Sequence, residues 1–428
     1  SSMPKPTSTG KGESETLQSF AALRHPGARI YLIGSCLAMM ADSIEHVISY
    51  WIMYEKFKSP ELGGFAIISH WVPFLLFSFW AGSLADRFDP RRVIQWGMCL
   101  FMIASFGWGF FFFTDSLEKW HAVILLIIHG MAGVLWGPAA QLFVHSMVGG
   151  QQLQSAIRMM ASARMLGFLL GPAIGGGMML VFGPSVAIIL NVFIYVPLLV
   201  WLWKAPYGPK FQDEPKPPPR RAINNFTDTF KIIRELSTVP IVFSMTILAG
   251  IAAMIVGNAH QAQMPEFAYD FGFQDTNIRY SFLLAAAATG AVTAGIVLES
   301  KSLLPASVRT SFFLALIWCT AIGGFAITPN FYVGLFLLFL AGFFDLAFNS
   351  MTRTLAQIHA PEELRGRAVG LYNMASLGMR TFSGFTVGIG GGFIGIHWSL
   401  GISACILFIT VLILYFYYSN KIPNIGTA

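Results

Sequence analysis

The chain has 428 residues, of which 55% are hydrophobic and only 11% charged, with a mean hydropathy of +0.62 and a net charge of +6. Soluble domains carry about 25% charged residues, so this composition excludes a water-soluble enzyme, a free nucleic-acid binder and a disordered chain. A bilayer crossing takes about 20 apolar residues, and twelve crossings would take roughly 240, close to the hydrophobic share of this chain. The sequence predicts an all-α membrane protein of twelve transmembrane helices. In chain order, a polar segment at 1–27 is expected to carry no cleavable leader, and six spans are expected near 28–54, 61–86, 93–114, 120–147, 154–182 and 185–203. A linker at 204–239 contains Pro215-Lys216-Pro217-Pro218-Pro219-Arg220-Arg221, an extended, solvated stretch. Phe226, Phe230, Ile233 and Leu236 then recur at helical spacing and predict a short amphipathic helix lying on the membrane. Six more spans lie near 240–266, 276–299, 307–328, 331–356, 365–395 and 397–419, ahead of a tail at 420–428. Cys36, Cys99, Cys319 and Cys405 all fall in apolar stretches and read as buried small hydrophobes.

Charge sets the orientation. With both termini in the cytoplasm, the lysines and arginines gather on that side, and the opposite face keeps only Lys56, Lys58, Lys119 and Arg279. The two halves also repeat. Gly82-Ser83-Leu84-Ala85-Asp86-Arg87 ends the second span, and Gly295-Ile296-Val297-Leu298-Glu299-Ser300-Lys301 ends the eighth. Gly130 matches Gly342, and His46 matches His260, at nearly the same offset. Two pseudo-symmetric six-helix bundles, 28–203 and 240–419, follow from that repeat.

The stretch Gly82-Ser83-Leu84-Ala85-Asp86-Arg87-Phe88-Asp89-Pro90-Arg91-Arg92 resembles the loop between helices two and three of the major facilitator superfamily. Two residues depart from that pattern: Asp89 stands where the family has glycine and Pro90 where it often has arginine. The resemblance implies a conformational latch made of Gly82, Asp86, Arg87, Arg91 and Arg92. Physically, a small Gly82 permits close helix approach, and Asp86 could accept from a helix N-terminus or an arginine; the alternative is that the arginines only hold the loop in the cytoplasm. In the fifth span Gly167, Gly171, Pro172, Gly175 and Gly176 resemble the exporters' glycine–proline signature, with Arg158 in place of an earlier glycine; small-residue packing would also account for them. Pro361-Glu362-Glu363-Leu364-Arg365-Gly366-Arg367 and Phe20-Ala21-Ala22-Leu23-Arg24-His25-Pro26 resemble the enterobactin-exporter-like branch, whose members mostly export siderophores, drugs or metal complexes.

Ionisable groups in hydrocarbon cost about 2.5–3.5 kcal/mol each on insertion scales and need a reason. Asp42, Glu45 and His46 share one face of the first span. The superfamily's architecture lines a central cavity with helices one, four, seven and ten. That implies cavity positions for His129, Gln141 and His145, for Asn258, His260, Gln261 and Gln263, and for Asp345, Asn349 and Arg353, with Arg164 and Arg380 reaching in from helices five and eleven. One reading makes Asp42 or Glu45 a proton carrier, since a carboxyl moving between dry surroundings and a nearby cation changes its hold on a proton. The superfamily's drug–proton antiporters usually carry an arginine in helix four, which this chain lacks. A second reading makes Asp42, His46 and His260 a site for a transported divalent metal; the Asp-x-x-x-His spacing resembles the first-helix metal pair of ferroportin. A third leaves internal ion pairs, Asp42 with Arg164 or Asp345 with Arg353, and treats His70, His121 and His129 as ordinary hydrogen-bonded helix residues.

The resulting expectation is a secondary transporter in a bacterial inner membrane, not an enzyme, exporting a siderophore or amphipathic drug by proton-coupled alternating access. Efflux of a divalent metal such as iron or nickel, or its chelate, is the alternative. No resident cofactor and no nucleic acid are expected; the partners are the solute, protons and lipid, and the chain is expected to be a monomer. A receptor or scaffold is disfavoured because no segment outside the spans could form a signalling domain, and an ATP-driven pump because no Gly-x-x-x-x-Gly-Lys-[Ser/Thr] loop occurs.

Overall fold

The structure, a computed structural model, describes residues 25–148, 153–207, 226–272, 276–301, 306–361, 368 and 371–426. Capping residues and prolines set the helix starts. Side chains of His25, Ser59, Asp89, Ser307 and Asn330 accept first-turn backbone N–H groups, and Pro26, Pro60, Pro90, Pro184 and Pro240 open helices where no N–H is required. The first half comprises α1 (Pro26–Phe57), α2 (Pro60–Arg87), α3 (Pro90–Phe113), α4 (Lys119–Val148), α5 (Leu153–Phe182) and α6 (Pro184–Lys204). The second comprises α7 (Pro240–Phe271), α8 (Thr276–Lys301), α9 (Val308–Ile327), α10 (Phe331–His359), α11 (residues 371–394) and α12 (Ile396–Lys421). Among the described residues, 10 helices are long and apolar enough to cross a membrane. The other two span positions are α5, whose apolar part is Leu170–Phe182, and α11, which is broken into short pieces.

Two spans differ from the expected uninterrupted helices. α7 runs past 266 to Phe271 and breaks at Gly257, whose φ of 51° lies in the left-handed region open to glycine. A 3-10 turn, Ala259–Gln263, follows, and Met264–Phe271 resumes the helix. α11 contains two π-helical turns, Met374–Gly378 and Gly384–Ile389, with Arg380 between them. Such widened turns leave backbone carbonyls unpaired and collect at functional sites. Gln263, expected in the cavity, instead serves this irregularity: its Nε2 donates to the Val387 and Gly388 carbonyls, both at 3.1 Å.

The repeat is realised in the packing. α1 lies on α5 as α7 lies on α11; α2 lies on α4 as α8 lies on α10; α3 lies on α4 as α9 lies on α10. Gly130 and Gly342 serve the same purpose in the two halves. A Cβ on Gly130 would meet the Ser69 carbonyl oxygen of α2 at 2.0 Å, and one on Gly342 would meet the Ala287 carbonyl oxygen of α8 at 1.9 Å. The halves join along α2–α11 and α5–α8. The seam contacts gather toward one end of the bundle, where α1 turns into α2 and α11 into α12. There Gly64 meets the backbone of Gly384 and Gly388, Gly176 meets Ser281, and Tyr280 donates to the Val47 carbonyl at 3.1 Å. The opposite end carries the start of α1, the ends of α6 and α12 and the start of α7. Before α7 a short helix runs over Phe226–Leu236, with Leu236 buried against Val242, Ala360 and Ala368 and Phe230 exposed.

The loop between α2 and α3 is held within its own half. Asp89, the departure from the family pattern, caps α3 and pairs with Arg91 at 2.5 Å. The Arg91 guanidinium also donates to the Ala205 carbonyl beyond α6 at 2.6 Å, and Arg92 donates to Gln95 at 2.8 Å and to the Trp203 carbonyl at 3.4 Å. Arg87 is exposed; the side chains at Gly82 and Asp86 lie outside the described residues. Two of the latch arginines thus clamp the loop to α6. Burial alone would raise the Asp89 carboxyl, but the bonds from Arg91 hold it below the ordinary carboxylate range. Arg91→Ala is expected to lower stability in detergent by about 2 kcal/mol at neutral pH, because Asp89 loses its charged partner. That loss is expected to shrink in acid, as the wild-type carboxylate takes up a proton and the pair stops contributing. Denaturation midpoints at neutral and acid pH would check both.

Candidate functional site

α1 is fixed against α5 by the glycines of the expected exporter signature. Gly167 faces the Cys36 carbonyl, Gly171 faces Ser43 and Gly175 faces Ile44, so the two backbones approach closely along one stripe. Gly176 faces α8 instead, and Pro172 is buried inside α5. This docking turns Asp42, Glu45 and His46 into the first half rather than toward lipid. Glu45 is 1% exposed and Asp42 6%.

His129 of α4 reaches between the two carboxylates. Its Nε2 lies 2.8 Å from Asp42 Oδ1, and its Nδ1 contacts Glu45 Oε2. Ser105 of α3 donates to Glu45 Oε1 at 2.5 Å, and Asn191 of α6 donates to the Ala41 carbonyl at 2.8 Å. His46 Nε2 stands 3.9 Å from Asp42 Oδ1. His70 of α2 completes the group, its ring 5.0 Å from His46 and 5.5 Å from His129. A void of ≈ 10 Å³, room for about one water, lies among Glu45, His46, Ser49, Tyr50, His70 and His129. The ligand atoms of Asp42, Glu45 and His129 lie within 4.8 Å of one another, as do those of His46, His70 and His129.

A neutral imidazole offers one N–H and one lone pair. Both nitrogens of His129 face carboxylate oxygens, and neither contact has the alignment of a hydrogen bond. His70 and His129 were legible only as histidines on apolar helices, and no spacing ties either to the Asp42–His46 pair. Their being ionisable at membrane depth was the one available signal.

His260, expected to join Asp42 and His46 in a metal site, is not among those clustered ligand atoms. It is buried in the broken stretch of α7, its Nδ1 without a partner, near Arg380. Asn258, beside it, accepts from Trp71 Nε1 of α2 at 2.9 Å, and the Arg380 guanidinium lies 4.6 Å from the Trp71 ring centre. Asp345 accepts from Asn349 at 2.9 Å, while Arg353 donates to Asn373 at 2.7 Å and lies 5.1 Å from the Tyr372 ring centre. Neither expected ion pair forms: Asp42 is engaged by His129, and Arg353 by Asn373. Arg164 is exposed. The side chains of Gln141 and His145, and the stretches 20–24 and 362–367, lie outside the described residues.

The family model described as transmembrane secretion effector matches residues 17–426, nearly the whole chain. The chain belongs to the transmembrane secretion effectors of the major facilitator superfamily. Within that family setting it is 26% identical over 310 residues to the enterobactin exporter EntS of Salmonella typhimurium, covering 68% of each chain. The same identity and coverage hold for EntS of Salmonella typhi. Its fold matches that of an inward-facing, unoccupied bacterial homolog to the human lysosomal transporter Spinster, with a TM-score of 0.69 at 15% identity, over 92% of this chain and 97% of that one. A D-xylose–proton symporter matches with a TM-score of 0.63 at 15% identity, over 94% of this chain and 97% of that one. This secretion effector is therefore a multi-pass membrane transporter and not an enzyme.

Proposed function

We propose that this transporter exports a small organic solute, a siderophore or amphipathic drug, across a bacterial inner membrane by alternating access driven by protons. The likeness to the enterobactin exporters supports export of such a solute. The observation that carries the coupling is the sharing of His129 between Asp42 and Glu45. Two carboxylates and one imidazole, sealed from lipid, hold a proton whose ownership shifts when the surrounding helices move. His46, half-buried beside the void, gives that proton a route to water. With the seam contacts gathered toward the α1–α2 turn, solute access is assigned to the other end, where α1 starts and α12 stops and which charge asymmetry puts in the cytoplasm. Solute enters there, the halves rock, and protons returning through the cluster reset the cycle.

A second reading has an observation of its own. Neither ring nitrogen of His129 is aligned for a hydrogen bond, and Asp42 Oδ1 and His70 Nδ1 are likewise unpartnered. Imidazole and carboxylate atoms converging without bonds suit a divalent transition metal. In that reading Asp42, Glu45, His46, His70 and His129 hold a metal as cargo, with His260 apart. Counterflow in proteoliposomes separates the two. Exchange of catecholate siderophores or drugs accelerated by an imposed pH gradient is the expected result; exchange of nickel or iron(II) alone would replace it with metal efflux.

A further inference from the structure

α2 carries two aromatic side chains in succession, His70 and Trp71. Consecutive helical residues point about 100° apart, so the pair looks both ways from one turn. His70 faces into the first half. Its ring lies 5.0 Å from that of His46 and 5.5 Å from that of His129, and it lines the small void together with Glu45. Trp71 faces the second half. Its Nε1 donates to Asn258 Oδ1 of α7 at 2.9 Å, and the Arg380 guanidinium of α11 lies 4.6 Å from its ring centre. The His70 and Trp71 rings meet edge to face, with centres 4.3 Å apart.

Trp71 meets the second half where its helices are irregular. Asn258 opens the 3-10 turn that follows the break at Gly257, and Arg380 stands between the two π-turns of α11. The backbone beneath the aromatic pair is irregular too. Pro73 lies inside α2 and has no N–H to give the Ser69 carbonyl one turn back. Gly130 of α4 lies against that carbonyl, where a side chain would find no room. The hydrogen-bond ladder of α2 is thus open at the residue before His70, and helices bend at such places.

We infer that Trp71 is a positioning residue through which the ionisable cluster of the first half acts on the broken helices of the second. This deepens the proton-driven reading and rests on it for the protons. The titratable groups around His70 are Asp42, Glu45, His46 and Tyr50 of α1 and His129 of α4, with Arg380 of α11 beyond Trp71. A change of charge among them moves the His70 ring, and the opened turn at Ser69 lets α2 carry that movement to Trp71. The Trp71 N–H and ring face then take hold of Asn258 and Arg380 or release them. Both contacts cross between the halves, so making them favours one arrangement of the halves over the other, which is the differential needed to shift a population.

The full chain in lipid nanodiscs tests this, with Cys36, Cys99, Cys319 and Cys405 replaced by serine and spin labels on cysteines at Lys119 and Pro329. These exposed positions, at the start of α4 and in the α9–α10 turn, lie one in each half at the end where the seam contacts gather. The label separation is expected to divide into a near and a far population whose ratio changes between mildly alkaline and mildly acidic buffer. In Trp71→Phe, which keeps a ring beside Arg380 and loses the N–H, that pH response is expected to shrink at least about fivefold, roughly the contribution of one hydrogen bond. Asn258→Ala is expected to do the same, and the double variant no more than either. A ratio changed by the same factor at every pH in both variants, as lost packing alone would give, would overturn the assignment, and so would an unchanged ratio. Should Trp71→Phe fail to fold, Asn258→Ala decides alone. No pH response in the native chain would overturn the assignment together with the proton-driven reading. A response that depends on Trp71, without pH-accelerated counterflow of enterobactin as probe, would keep Trp71 in its role and refute proton-driven export alone.

Discussion

Glu45→Gln is expected to abolish proton-coupled transport, with a fall of at least about a hundredfold in gradient-driven export, while solute counterflow persists. Glutamine has nearly the size of glutamate and keeps an oxygen for Ser105, which donates to Glu45 Oε1 in the native protein. It cannot carry a titrating proton. With Glu45 replaced, Asp42 is the one carboxylate left beside His129, and the cluster has one fewer group able to take up a proton. A hundredfold loss corresponds to about 2.7 kcal/mol of lost coupling, well below the cost of an uncompensated buried charge. The measurement pairs a pH-sensitive dye inside proteoliposomes with counterflow of the same solute. Intact proton flux in the variant would remove Glu45 from the coupling site. Loss of both activities together with a lowered thermal midpoint would point to a folding role instead.

Gly64→Leu is expected to hold the transporter open at the end it now seals. A Cβ on Gly64 would lie 2.6 Å from the Gly384 carbonyl oxygen and 2.8 Å from the Gly388 carbonyl carbon. These are backbone atoms, so no rotamer change relieves the clash. Overpacking of this kind costs about 1–3 kcal/mol, enough to shift a two-state population about 5- to 150-fold. The nearby small void of ≈ 20 Å³ between the halves, lined by Tyr54, Gly63, Ala262 and Glu266 among others, offers a reporter. With Cys36, Cys99, Cys319 and Cys405 replaced by serine, a cysteine at Ala262 is buried in the native protein. Its labelling by a membrane-impermeant maleimide is expected to rise at least about tenfold in the Gly64→Leu background. Unchanged labelling would mean that this seam does not gate access.

The two predictions draw on different kinds of information. The gate rests on glycines that composition alone marks only as small. Gly64 carries no motif, and its role comes from which backbone lies opposite. The same holds for the exporter-like stripe: Gly167, Gly171 and Gly175 were recognisable at four-residue spacing, but their partner helix, α1, was not. The buried ionisable cluster was half visible. Asp42, Glu45 and His46 declare themselves because three ionisable groups in one turn of an apolar helix demand a use. The repeat suggested His260 as their companion through its match with His46, and this pairing failed. Gly257 breaks α7 just before His260 and turns that stretch toward Arg380, whereas α1 stays continuous through His46. Pseudo-symmetry governs helix packing in the two halves without governing local backbone irregularities.

Length, hydropathy and the placement of lysine and arginine determined by themselves that this is a polytopic helical protein. The near-constant offset between its halves determined that two bundles would pack alike. Those properties are additive along the chain: each apolar stretch must pair its own backbone and exclude water whatever its neighbours do. Contacts among residues 42, 70, 105 and 129 and the placing of one imidazole between two carboxylates were decided only by tertiary structure. Each depends on which face of one helix lies against which face of another, and that is fixed by the fit of small residues to distant backbones, a relation no local pattern records.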